Sequence, residues 1–281
     1  MKLAPIEDQS LNEHLDDISR DGMDVFLLED GAVRGAVLNG TRLVNQMRAN
    51  HDLGILETLL LGHSYLAAGL LTSQMKSQDR MSVSFESEGP VGGITVESNV
   101  LGEVRGYLKN DAIEVTEPLE SFDTSPFIGP GYLSVTRFPQ GARVPYTGQV
   151  ELEYQSVAKD LANYFLRSEQ TPTALNLSVQ FDEEGRATGA GGLFVQAMPS
   201  ATSKTREELE EIISDLPSIG RLFASGDTTS HLIHGHFEGF APEIVGTRSV
   251  EFSCPCSRER FSRFLVRSEE RRVGKECATG C

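Results

Sequence analysis

The chain has 281 residues, with 41 acidic against 25 basic side chains, a net charge of −16 and a pI near 4.8. That field repels phosphate backbones and anionic bilayers, so nucleic acid and membrane surfaces are poor partners. The opening Met1-Lys2-Leu3-Ala4-Pro5-Ile6-Glu7-Asp8 lacks the basic start and apolar run of a secretory leader. The expected compartment is therefore the cytoplasm, where thiols stay reduced unless they sense oxidants or bind metal.

In chain order, residues 10–20 read as a short amphipathic helix. Val25-Phe26-Leu27-Leu28 and Val33 to Leu38, with Asp30-Gly31 between them, predict a hairpin. A helix is expected over Arg42–Ala49 and a buried one over about Ile55 to Met75. The apolar stretch Ile55–Leu71 falls short of the roughly 20 residues a spanning helix needs. Strands are predicted at Met81–Glu86, Gly93–Glu97, Val104–Leu108, Ile113–Val115, Leu133–Arg137 and Val150–Tyr154. The spacing of Val157, Leu161, Tyr164 and Phe165 predicts a helix over Gln155–Ser168, followed by strands at Leu175–Phe181 and Gly192–Met198. Short strands broken by Gly, Pro and Asp imply one large, mainly antiparallel sheet with packed helices, an α+β domain over residues 1–199.

The Gly-rich runs Gly89-Pro90-Val91-Gly92-Gly93 and Gly189-Ala190-Gly191-Gly192 lack the context of a phosphate loop and read as tight turns. Gly62-His63-Ser64-Tyr65-Leu66 half resembles a nucleophile elbow, but it lacks the last glycine and sits in a helical stretch.

From Pro199 the character changes. Residues 200–250 read as a helical linker. Thr205 and Glu208 suggest a capping box. Leu209, Ile212, Ile213 and Leu216 form a helical apolar stripe opposite Glu207, Glu208, Glu210, Glu211 and Asp215, and Pro217 ends the run. A second helix is expected at Ile219–Ala224, with Leu222 and Phe223 inward. Helices this short are marginal alone, so the stripe must dock on something. His231, His234 and His236 read as ordinary histidines of a surface connection.

All four cysteines lie from Cys254 onward: Cys254 and Cys256, then Cys277 and Cys281. Two close pairs can give four thiolates to one tetrahedral zinc. Residues 251–281 are too few to hold themselves by apolar burial. Zinc leads as the brace, and a pair of disulfides is the alternative.

Several stretches together resemble the heat shock protein 33 family of redox-regulated, zinc-binding chaperones. They are Gly89-Pro90-Val91-Gly92-Gly93; Gly102-Glu103-Val104-Arg105-Gly106-Tyr107; Pro145-Tyr146-Thr147-Gly148; Tyr164 with Ser168-Glu169-Gln170; Ala190-Gly191-Gly192-Leu193-Phe194-Val195-Gln196 with Pro199; and Phe252-Ser253-Cys254-Pro255-Cys256-Ser257-Arg258-Glu259-Arg260. The resemblance implies an ATP-independent holdase with one zinc ion on Cys254, Cys256, Cys277 and Cys281. It implies that oxidation pairs Cys254 with Cys256 and Cys277 with Cys281, ejects zinc and loosens the linker. It further implies that Leu209, Ile212, Ile213, Leu216, Leu222 and Phe223 then help hold unfolding clients, and that the active form favours a homodimer. A ring closed by Cys254 and Cys256 would be small and strained, hence readily reduced.

After about residue 265 the chain departs from the family pattern. It is polar there, and the second pair is C-x-x-x-C where the family has C-x-x-C. The tail is expected to be a truncation or a foreign run-on, with Cys277 and Cys281 kept as ligands. Three other readings compete with the holdase. A nucleic-acid zinc ribbon is opposed by charge, despite a locally basic tail. A metalloenzyme is opposed by a full four-thiol shell, unless a histidine replaces a cysteine. A purely structural zinc is not separable by sequence.

Overall fold

The computed structural model describes residues 9–115, 122–254 and 262–263. The chain divides between Phe252 and Ser253, and every helix and strand named below belongs to the unit that ends at Phe252. Residues 200–250 thus lie in the same compact unit as the domain before them.

The elements run α1 (Gln9–Asp17), β1 (Gly22–Leu28), β2 (Val33–Asn39), α2 (Thr41–His51), α3 (Ile55–Leu71), β3 (Arg80–Ser87), β4 (Gly93–Asn99), β5 (Glu103–Leu108), α4 (Ser125–Ile128), β6 (Gly131–Phe138), β7 (Tyr146–Glu151), α5 (Val157–Ser168), β8 (Thr173–Phe181), β9 (Ala187–Ala197), α6 (Ser203–Asp215), α7 (Ile219–Ala224), α8 (Thr229–Phe237), β10 (Glu243–Arg248) and β11 (Glu251–Phe252). The fold is α+β, but its strands form two sheets rather than the single one expected. One has the order β10-β1-β2-β9-β8 and the other β11-β5-β4-β3-β6-β7. All pairings are antiparallel except β11 with β5. Sequence pattern identifies strands, but not which non-neighbouring strands share a sheet.

Helix α3 lies between the sheets and packs on β4 and β5 of one and on β8, β9 and β2 of the other. That position explains its composition. A helix buried all round is apolar all round, and every residue of α3 is buried except Ile55, which is exposed, and His63, which reaches the surface in part while most of it is buried. Together with the turn after it, the run Ile55–Gln74 is long and apolar enough to cross a membrane, but 89% of its most apolar 18-residue window is buried inside the protein.

Several local expectations need correction. Residues Ile113–Val115 form no strand. The strand expected at Val150–Tyr154 lies earlier, as β7, because it pairs along β6 from Arg137↔Tyr146 to Tyr132↔Glu151. Gly89–Gly93 is the expected tight turn, with Gly92 and Gly93 at φ +65° and +147°. Gly189–Gly192 is not a turn at all: it sits inside β9. The histidines His231, His234 and His236 are on helix α8, not on an irregular connection.

A polar network joins the two sheets at one end. Gln196, almost fully buried, accepts from Arg34 Nε at 2.9 Å and Gln74 Nε2 at 3.2 Å, and donates to Thr173 Oγ1 at 2.9 Å. Arg137 reaches Gln74 Oε1 at 3.3 Å and Glu169 Oε1 at 2.7 Å. Gln196 and Glu169 come from two of the motifs quoted above. Their role here is to satisfy buried polar groups where burial without partners would be costly.

Candidate functional site

The linker residues 200–250 cover one face of the five-stranded sheet. Alternation along the strands sorts side chains between its faces. Asp24, Phe26 and Leu28 of β1, Val33 and Val37 of β2, and Leu193 and Val195 of β9 face the linker. From the linker, Ala201, Leu209, Ile219, Phe223, Leu232, Ile233, Phe237 and Phe240 complete one buried apolar cluster. The rings of Phe26 and Phe237 lie 5.6 Å apart.

The sequence-predicted linker face is only partly inside this cluster. Leu209 and Phe223 are buried, at 4% and 7% exposure. Ile212, Ile213, Leu216 and Leu222 are partly buried and pack against its rim. The deeper anchors Ile219, Leu232, Ile233 and Phe237 were not singled out in the sequence. Their signal was present, since Leu232, Ile233 and Phe237 have i, i+1, i+5 spacing on α8, but the three histidines between and beside them drew attention to polarity.

Glycine makes the closest approach possible. Gly189 and Gly191 of β9 lie directly under α7. A Cβ on Gly191 would collide with the Phe223 ring. A Cβ on Gly189 would overlap the Gly220 carbonyl oxygen and lie 2.5 Å from the Ala224 nitrogen. Gly220 itself faces Gly189 and β8, and its N–H donates to Ser178 Oγ at 2.6 Å. The bare glycine track is a seat for a helix backbone rather than a device for turning the chain.

The expected capping box is displaced by three residues. Thr202, not Thr205, caps α6, accepting from the Thr205 N–H at 3.1 Å. Thr205 instead uses its hydroxyl to donate to Glu29 Oε2 at 2.8 Å. After α8 the linker adds β10 to the outer edge of β1, from Met23↔Arg248 to Leu27↔Glu243. The sequence reading had no element there. Arg248 Nη1 donates to the Thr72 carbonyl at 2.7 Å. The linker is thus tied to the domain by apolar contact, by a strand pairing and by side-chain bonds.

Of the expected zinc ligands, Cys254 is a free, partly exposed thiol. Cys256, Cys277 and Cys281 lie outside the described residues. Among the described residues no cluster of three or more His, Cys, Asp or Glu is arranged to hold a metal. A partly exposed, unbonded thiol is chemically suited to be one ligand of a four-thiolate site. His231 and His234 project from the exposed side of α8, and His231 Nδ1 meets Asp227 Oδ1.

The half-elbow in α3 has no nucleophile geometry. Ser64 Oγ donates to the Leu60 carbonyl at 3.1 Å, within its own helix. Burial pushes the neighbouring His63 imidazole down to about 4. An unfolded histidine takes up its proton near pH 6.5, so folding excludes a proton between pH 6.5 and about 4. The stability held by neutral His63 is fully present above pH 6.5 and is lost as pH falls through that window. The full loss, reached below about pH 4, is roughly 3–4 kcal/mol, at 1.36 kcal/mol per pKa unit from 6.5 down to about 4. Urea titrations of the protein and of His63→Gln at pH 7 and pH 4.5 check this; parallel loss in both would assign the acid sensitivity to other groups.

Comparison with known proteins supplies a context for this arrangement. The family model described as "Hsp33 protein" matches residues 21–274. That span runs past residue 265, where the sequence reading placed the departure, but leaves Cys277 and Cys281 outside. The 33 kDa chaperonin of Desulforamulus reducens is 35% identical over 238 residues, 84% of this chain and 81% of its own length. The 33 kDa chaperonin of Aquifex aeolicus is 31% identical over 259 residues, 89% of this chain and 79% of its own. A crystal structure of the 33 kDa chaperonin of Thermotoga maritima, a heat shock protein 33 homolog, superposes with a TM-score of 0.79 at 30% identity, covering 88% of this chain and 84% of that one.

Proposed function

Because the chain belongs to the Hsp33 family, we propose that this chaperone is an ATP-independent holdase under redox control, in which cysteine oxidation frees the docked linker and exposes apolar surface to unfolding client proteins. The observation that carries the reading is the seam between linker and sheet. A chaperone must hold apolar surface in reserve, and here one face of a sheet is covered by short helices that are marginal on their own.

Cys254, Cys256, Cys277 and Cys281 would hold one zinc ion, which when bound keeps the sulfurs as thiolates and braces the C-terminal segment. Oxidation then acts on the sulfurs themselves. Within a pair, one thiol is oxidised by peroxide to a sulfenic acid with release of water. The second thiol displaces a second water and forms the disulfide, so each pair gives up two electrons and two protons to one peroxide. Sulfurs bonded to each other no longer serve as thiolate ligands. Folding free energy from structural zinc is about 10–16 kcal/mol in small modules. Reversing a 1:99 equilibrium takes only about 5.5 kcal/mol, so partial coupling to the linker suffices. The freed surface would join Leu209, Ile212, Ile213, Leu216, Leu222 and Phe223 to the sheet face beneath them. The active form is proposed to be a homodimer in the cytoplasm.

The test is mild peroxide with slight warming, reading zinc release, thiol count, apolar-dye fluorescence and suppression of client aggregation together. The expected result is zinc release with a rise in dye binding and in holdase activity, reversed by a thiol reductant. Complete thiol oxidation with unchanged dye fluorescence would sink the switch and leave a metal that only braces the fold.

A further inference from the structure

Asp24 is one of the few buried carboxylates among the described residues, at 8% exposure, and it sits on the linker-facing side of β1 beside Phe26. Thr229 Oγ1, at the start of α8, donates to its Oδ2 at 2.6 Å. Thr247 Oγ1, on β10, donates to its Oδ1 at 2.7 Å. Thr247 is also its direct cross-strand partner. Both side-chain bonds of this carboxylate therefore come from the linker, one from each of two elements separated by a connecting turn.

We propose that Asp24 is a latch that sets how readily the linker leaves the sheet, holding α8 and β10 closed through Thr229 and Thr247. The proposal rests on the reading that linker release is the activating step. The physics lies in what the carboxylate lacks. Its two side-chain bonds are to neutral hydroxyls, and among the described residues no cation pairs with it. A buried charge held only by two hydroxyl bonds is satisfied in the closed state and hydrated in the open one. Loss of either hydroxyl leaves the charge buried and short of a partner, which favours opening by more than a neutral bond would. Replacing the whole trio with apolar side chains removes that penalty and should keep the linker shut. Apolar substitution of the two threonines thus opens the linker while Asp24 remains and leaves it shut once Asp24 is apolar as well.

The experiment uses full-length, reduced, zinc-loaded protein and follows amide hydrogen exchange, with aggregation suppression as a second readout. With Thr229→Val and Thr247→Val combined, exchange in α8 and β10 is expected to rise by roughly ten- to a hundredfold, as for loss of hydrogen bonds to a charged group, with α3 unchanged. Thr229→Ser with Thr247→Ser keeps the hydroxyls and should retain wild-type protection. Adding Asp24→Leu to the two valines should restore protection. Unchanged exchange in the valine pair, or failure of Asp24→Leu to restore it in a folded protein, overturns the latch. Faster exchange in the valine pair without any gain in holdase activity, before or after oxidation, leaves the latch standing and refutes release as the activating step.

Discussion

Gly189→Ala is expected to make the reduced protein an active holdase with every cysteine intact. The added methyl would overlap the Gly220 carbonyl oxygen and the Ala224 backbone, and its three nearest neighbours all belong to α7. The clash is with backbone, so no side-chain rotation relieves it. The strand gains slightly, since alanine loses less entropy than glycine on folding, but by only about 0.5–1 kcal/mol. Against that, lifting α7 exposes Ile219 and Phe223, whose burial contributes about 1.5–3 kcal/mol each. The loss wins, and it falls on the linker, because β9 keeps its pairings with β2 and β8. Gly235→Ala is the matched control, since a Cβ there meets nothing within 4 Å. The readouts are dye binding, aggregation suppression and exchange in α7 without oxidant. Wild-type silence from a variant whose α7 exchanges quickly would mean that this helix does not gate the client surface.

Much of this arrangement was legible in the residues, and the gaps have physical causes. The helix at Ile219–Ala224 and the hairpin around Asp30-Gly31 follow from local periodicity and turn chemistry, and both lie where expected. The glycine run of β9 was not legible as a seat. Glycine permits a turn and a close helix approach equally, and only the tertiary partner tells them apart. Strand β10 was missed because an edge strand is half exposed and pairs with residues more than two hundred positions away. Asp24 was a readable clue left unread: one acid in Met23-Asp24-Val25-Phe26, on the same face as Phe26, is an acid on a buried face. The proposed cysteine site rests on donor type and clustering in the sequence alone. Of its four positions, Cys254 alone lies among the described residues.

Phe237→Ala should separate linker release from unfolding of the domain. Phe237 is fully buried in the linker-facing cluster, its ring tilted 31° against that of Phe26 with centroids 5.6 Å apart. Truncating a buried phenylalanine costs about 3–5 kcal/mol. Helix α8 has nine residues, too few to persist without its anchor. The opposite face of the sheet is packed by α2, α3 and α5, none of which uses Phe237. The expected urea profile of the reduced variant therefore has two steps: an early one with dye binding and loss of protection in α8 and β10, and a late one near the wild-type midpoint for α3 and the six-stranded sheet. A single transition, shifted by the whole cost for every region, would make the linker part of one cooperative core. A linker that leaves only when the domain unfolds could not serve as a switch, since activation would then destroy the surface it is meant to expose. The two-step profile is the thermodynamic condition for the proposed mechanism, and this substitution tests it without touching a cysteine.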